Sequence, residues 1–134
     1  MSMAKIQARG FTLVELMIAV AIVAILAGIA YPSYVNQLQS SRRAEGQALV
    51  MEIMAAQERY YSSNNTYTSD LAQLGYTLVS GNLDSDGGWY RITAAACGTA
   101  ALNACVNLSA TGQGAQVDDG TLTLNSRGEK TGHW

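Results

Sequence analysis

Residues 11–31 read FTLVELMIAVAIVAILAGIAY, and everything else about the chain follows from how they are placed. They form a run of 21 residues with a single charge, Glu15. As a helix the run spans roughly 32 Å, about the hydrocarbon thickness of a bilayer. Twelve of its residues are Phe, Leu, Ile, Val or Met, worth roughly 4–7 kcal/mol of insertion free energy. An ionised carboxylate at mid-bilayer costs about 3 kcal/mol, and less near the end of a span. The segment therefore inserts despite Glu15, and a carboxylate that packing does not require is a functional-site candidate in need of a partner.

The ten residues before it, MSMAKIQARG, carry Lys5 and Arg9 and no acid. That bias keeps the N-terminal side in the cytoplasm. A competing reading is an ordinary secretory signal, with Gly28 and Ala30 preceding a cut before Tyr31. The acid inside the apolar run fits that poorly, and the helical pattern continues beyond residue 31.

Residues 33–61 keep apolar side chains at Val35, Leu38, Leu49, Ile53, Ala56 and Tyr60, near a period of 3.6. Gln37, Ser40, Arg43, Gln47 and Gln57 mark the other face. This predicts an amphipathic helix whose apolar stripe packs on a sheet. Pro32 has no amide hydrogen and Gly28 weakens the helix beside it, so a kink is expected there. Arg42 and Arg43 read as a solvated, interfacial pair, with contact to a neighbouring subunit as the functional alternative.

After Tyr61 the composition changes. SSNNTYTSD (62–70) is a polar loop, and Asp70 opens a short segment ending at Gly75. Alternating runs at 76–80, 89–95, 105–110 and 120–126 predict half-buried antiparallel strands. The Gly-rich stretches SGNLDSDGG, TGQGAQVDDG and SRGEKTG separate them as turns. The expected architecture is α+β: a long kinked N-terminal helix, membrane-spanning then amphipathic, packed on a small antiparallel sheet. Its divisions are 1–10, 11–31, 32–61 and 62–134.

Charge and chemistry exclude several classes. Charged residues are 13% of the 134, against about 25% in ordinary soluble chains. Residues 61–134 hold six acids and only Arg91, Arg127 and Lys130 as cations, a poor surface for nucleic acid. The loop LDSDGG (83–88) suggests calcium, but an EF-hand begun at Asp84 would need an acid where Ala95 stands. Two cysteines and one histidine make no convincing metal set. No phosphate loop, HExxH or nucleophile elbow is present, so no enzyme activity and no cofactor are expected. Cys97 and Cys105 lie close in sequence, and an exported chain meets oxidising conditions, so a disulfide is expected between them.

Gly10-Phe11-Thr12-Leu13-Val14-Glu15-Leu16, set after a short basic leader and followed by about 20 apolar residues and Pro32, resembles the class III signal of type IV pilins and pseudopilins. The stretches 44–68 and 120–134 resemble PilE-type minor pilins. The resemblance implies a pilin fold, cleavage between Gly10 and Phe11 by a prepilin peptidase, and N-methylation of Phe11 by the same enzyme. It also implies an inner-membrane subunit with a periplasmic C-terminal domain, handed to an assembly platform and then to an extracellular pilus. Under it, Glu15 pairs with the Phe11 amine of a neighbouring subunit, and Thr12 adds a hydroxyl to the same polar spot. Motility, adhesion or DNA uptake are the implied roles. A type II secretion pseudopilin and a DNA-binding competence pilin are the alternatives. In that subgroup, positions equivalent to Asp119 and His133 carry cysteines. Here the tail-stapling disulfide cannot form, and an Asp119–His133 contact is the conceivable substitute.

Overall fold

The computed structural model describes residues 10–134. The leader expected over residues 1–10 therefore lies, up to Arg9, outside the described residues. The chain divides into two units, one reaching Gln37 and one comprising Leu38–Trp134. A single helix, α1 (Leu13–Asn64), supplies backbone to both.

In the first unit, α1 starts at Leu13, and Thr12 caps it. The Thr12 Oγ1 accepts the Glu15 N–H at 3.2 Å, and the Thr12 carbonyl accepts the Leu16 N–H. The side-chain bond satisfies one of the four donors that a helix start leaves orphaned. The helix then continues without interruption through Gly28 and Pro32. Every side chain from Phe11 to Gln37 is exposed. An apolar helix with no packed face is the composition of a membrane span or of a buried filament core.

The second unit is built on residues 38–64 of α1 and a five-stranded antiparallel meander: β1 (Leu83–Asp84), β2 (Tyr90–Ala96), β3 (Val106–Gly112), β4 (Thr121–Asn125) and β5 (Lys130–Thr131). The strands pair in sequence order, from Leu83↔Ile92 through Ala94↔Leu108 and Leu108↔Leu124 to Leu124↔Lys130. Alternation puts Tyr90, Ile92, Val106, Leu108, Ala110, Leu122 and Leu124 on the inner face. Val50 and Ile53 of α1 meet that face, and both are fully buried.

The helix seam differs in phase from the sequence expectation. The buried positions are Gly46, Val50, Ile53, Ala56 and Gln57, which corrects the placement of Gln57 on the solvent face. Gly46 leaves space for the Tyr90 ring: a Cβ there would sit 2.7 Å from Tyr90 Cδ2. Gln57 is tolerated because its amide bonds the Thr68 backbone twice, donating Nε2–H to the carbonyl (2.6 Å) and accepting the N–H on Oε1 (3.0 Å).

Three strand expectations hold, at β2, β3 and β4. The run 76–80 is not a strand. It enters a tight turn bridged between Val79 and Asn82, with positive φ at Ser80 and Gly81, as a type I′ turn requires. Leu83–Asp84 and Lys130–Thr131, inside the Gly-rich stretches that predict turns, form the two short edge strands. The 3-10 helix Leu71–Leu74 is capped as expected: Asp70 accepts the Ala72 N–H, and Gly75 closes it in the left-handed region.

Candidate functional site

Gly10, Phe11, Thr12 and Glu15 line one shallow concavity at the start of α1. Phe11 is 81% exposed. Glu15 stands in the first helical turn, where the dipole favours a carboxylate, and among the described residues it makes no ion pair. Its backbone N–H is bound to the Thr12 hydroxyl, the N-cap arm of a Thr-x-x-Glu sequence. The Thr12 hydroxyl oxygen accepts that one bond, and its O–H is left to donate to another group. What remains open is a carboxylate beside Phe11 and an uncovered apolar run, a surface that calls for membrane or for other helices.

A second polar centre lies in the sheet unit. Asp119, the last residue of the 3-10 helix Gly114–Asp119, has a side chain only 1% exposed. Arg43 reaches it from α1 with both Nε (2.8 Å to Oδ2) and an Nη2–H to Oδ1, a forked ion pair. The Tyr90 hydroxyl donates to Oδ2 at 2.6 Å, and His133 Nδ1 lies 3.5 Å from Oδ1. Gln116 donates to the Tyr90 hydroxyl and to the Gln39 carbonyl. The Arg43 guanidinium holds the Asp119 carboxyl down to about 2 against the opposing pull of burial, and the Tyr90 hydroxyl helps. Burial and the neighbouring Asp119 push the Tyr90 hydroxyl up.

The solvated reading of the two arginines is therefore corrected. Arg43 is the counter-ion of a buried acid, and Arg42 stacks 3.8 Å from the centre of the Trp89 ring. Asp84, weighed as a calcium ligand, is bound instead by Arg91 through two hydrogen bonds. Gln47 donates to the His133 carbonyl. Trp134 Nε1–H is shared between the carbonyls of Thr123 and Thr131. Residues 133–134 are thus held in place by hydrogen bonds and not by a disulfide.

Cys97 and Cys105 form the expected disulfide, with Cα atoms 5.5 Å apart. The Arg43–Asp119 pair was not legible in the sequence. The one available signal was the 3-4-3-4 spacing of Arg43, Gly46, Val50, Ile53 and Gln57, which places all five on one seam.

An exposed apolar helix opening on Leu-Val-Glu directly after Phe11 and Thr12, continued by a seam against an antiparallel meander, defines a type IV pilin-like subunit. A family model described as "Type IV minor pilin ComP, DNA uptake sequence receptor" matches residues 32–123, and the prokaryotic N-terminal methylation motif matches residues 6–31. The chain belongs to this type IV minor pilin family. It is similar to the type IV major pilin protein PilA of Myxococcus xanthus, 36% identical over 88 residues, covering 66% of this chain and 38% of that one. The fimbrial protein EcpC of Eikenella corrodens is 40% identical over 67 residues, covering 50% of this chain and 44% of that one. The wide-pilus major component PilA4 of Thermus thermophilus is 43% identical over 70 residues, covering 50% and 51%. The chain thus spans between 38% and 51% of the length of these relatives.

Proposed function

We propose that the chain is a structural subunit of a type IV pilus, a minor pilin that waits in the inner membrane with its sheet unit in the periplasm. A prepilin peptidase cuts between Gly10 and Phe11 and methylates the new amine. The subunit then docks by pairing Glu15 with the Phe11 amine of a neighbour. The observation that carries this reading is the fully exposed apolar run after Phe11, with Glu15 as its one charge. Burying that run among other helices removes it from water, and pairing the two charges makes their burial tolerable. The test is Glu15→Ala in cells carrying the assembly machinery. Cleavage and N-methylation, read by mass spectrometry at Phe11, remain, while the variant falls at least several-fold in sheared filaments. Wild-type incorporation would refute the docking role. A mature chain beginning at Tyr31 would refute the processing.

A second reading, DNA capture during uptake, is favoured by the family description alone. Arg43 is committed to Asp119 and Arg91 to Asp84, so exposed cations without such partners reduce to a few, Arg59, Arg127 and Lys130 among them. A gel shift with the detergent-solubilised chain decides it. Binding that weakens with salt supports DNA capture, and no shift at low salt removes it.

A further inference from the structure

The ring closed by Cys97–Cys105 does more than join two strand ends. Its interior folds into tight turns, with Ala100 N–H bonded to the Cys97 carbonyl and both Ala104 and Cys105 N–H bonded to the Ala101 carbonyl. This arrangement leaves two carbonyls as acceptors for Tyr61, in the last turn of α1, and Tyr67, just past its end. Leu102 O accepts the Tyr67 N–H at 3.1 Å, and Asn103 O accepts the Tyr61 hydroxyl at 3.3 Å. The two tyrosine rings lie 4.6 Å apart, and the Tyr67 hydroxyl donates to Glu58. Between them Asn65, with φ at 53°, ends the helix by donating to the Tyr61 carbonyl.

The next residue is fastened differently. Thr68 N–H goes to the Gln57 side chain of α1 itself and owes nothing to the ring. The β2–β3 ladder also stands alone, with seven register pairs from Tyr90↔Gly112 to Ala96↔Val106 before the ring begins. Closing so small a loop removes little chain entropy relative to a long one.

We propose that the Cys97–Cys105 disulfide is a redox-controlled clasp for the far end of α1: closed, it docks the segment 61–67, and opened, it releases that segment while the sheet and the Gln57–Thr68 bonds stay in place. Opening by a dithiol cleaves the S–S bond. The dithiol loses two electrons and two protons and becomes a disulfide, and Cys97 and Cys105 each gain an S–H. Closing is the reverse exchange with a disulfide-bearing oxidant. The segment released carries the exposed polar last residues of α1, Ser62–Asn64, and Asn65 after them, so the redox state sets the shape that this surface shows to a partner.

Residue-resolved amide exchange on the full chain in detergent micelles tests this, comparing the oxidised chain with the chain reduced by dithiothreitol. The Tyr67 amide exchanges at least tenfold faster after reduction. Its neighbour Thr68 changes less than threefold, and the β2–β3 ladder is unchanged. An unaltered Tyr67 rate overturns the proposal. Uniform acceleration of all these amides also overturns it, because the disulfide is then a general staple. Tyr61→Phe, with the disulfide intact, gives a check that does not depend on a cysteine variant folding. It speeds exchange at residues 61–67 severalfold and nowhere in the sheet, whereas no change there counts against the clasp.

Discussion

Replacing Asp119 with Asn keeps the side-chain shape and removes the charge at the centre of the sheet unit. Holding this carboxyl at about 2 instead of its ordinary 3.8 makes the ionised form worth about 2 kcal/mol to the folded state. Breaking a fully buried ion pair typically costs about 3–5 kcal/mol. Arg43 keeps 29% of its side chain exposed, so water rescues part of its charge and the expected loss is about 2–3 kcal/mol. In a domain of about 100 residues each kcal/mol moves the midpoint by about 4–8 °C, so Asp119→Asn melts roughly 10–20 °C lower at pH 7. The sign with pH follows from the lowered value. The contribution is complete above the ordinary carboxyl range and fades as pH falls from about 4 through 2. Melts of the detergent-solubilised chain, followed by near-ultraviolet circular dichroism, should show parent and variant converging in acid. A variant within about 2 °C of the parent at pH 7, or a gap undiminished at pH 2, would refute the assignment of this pair as an ionic anchor.

Gly46→Ala forces a methyl against the buried Tyr90 ring, 2.7 Å from Cδ2. The overpacking, about 1–3 kcal/mol, outweighs alanine's better helix propensity, and the urea midpoint should drop. Gln57→Leu leaves both backbone groups of Thr68 buried and unpaired, at a cost of about 2–4 kcal/mol. That loss should appear in chemical denaturation, together with faster amide exchange at Thr68. A neutral result for either would mean the helix seam is looser than its burial indicates.

The fold was legible where composition and period agreed. Residues 11–31 could only be a helix for an apolar surrounding, and Tyr90–Ala96, Val106–Gly112 and Thr121–Asn125 alternate cleanly. The seam of α1 was harder to read because polar residues interrupt its apolar ones. Arg43 and Gln57 look solvent-facing until their partners, Asp119 and the Thr68 backbone, are in place. Those partners lie 76 and 11 residues away. The edge strands β1 and β5 are each two residues long, shorter than any periodicity can register, and they sit in stretches rich in turn formers. The disulfide was visible in the cysteine count and spacing. The docking of Tyr61 and Tyr67 on its ring was not, because it depends on main-chain carbonyls.

The absence of a disulfide on residues 133–134 has a consequence of its own. His133 and Trp134 are pinned by a histidine–carboxylate approach and by indole and glutamine hydrogen bonds to main-chain oxygens. Heat or denaturant can lift them, and they can settle again without any enzyme. The ring at Cys97–Cys105 yields only to electron transfer. One molecule thus carries two latches keyed to different surroundings, and either can be opened while its counterpart stays shut.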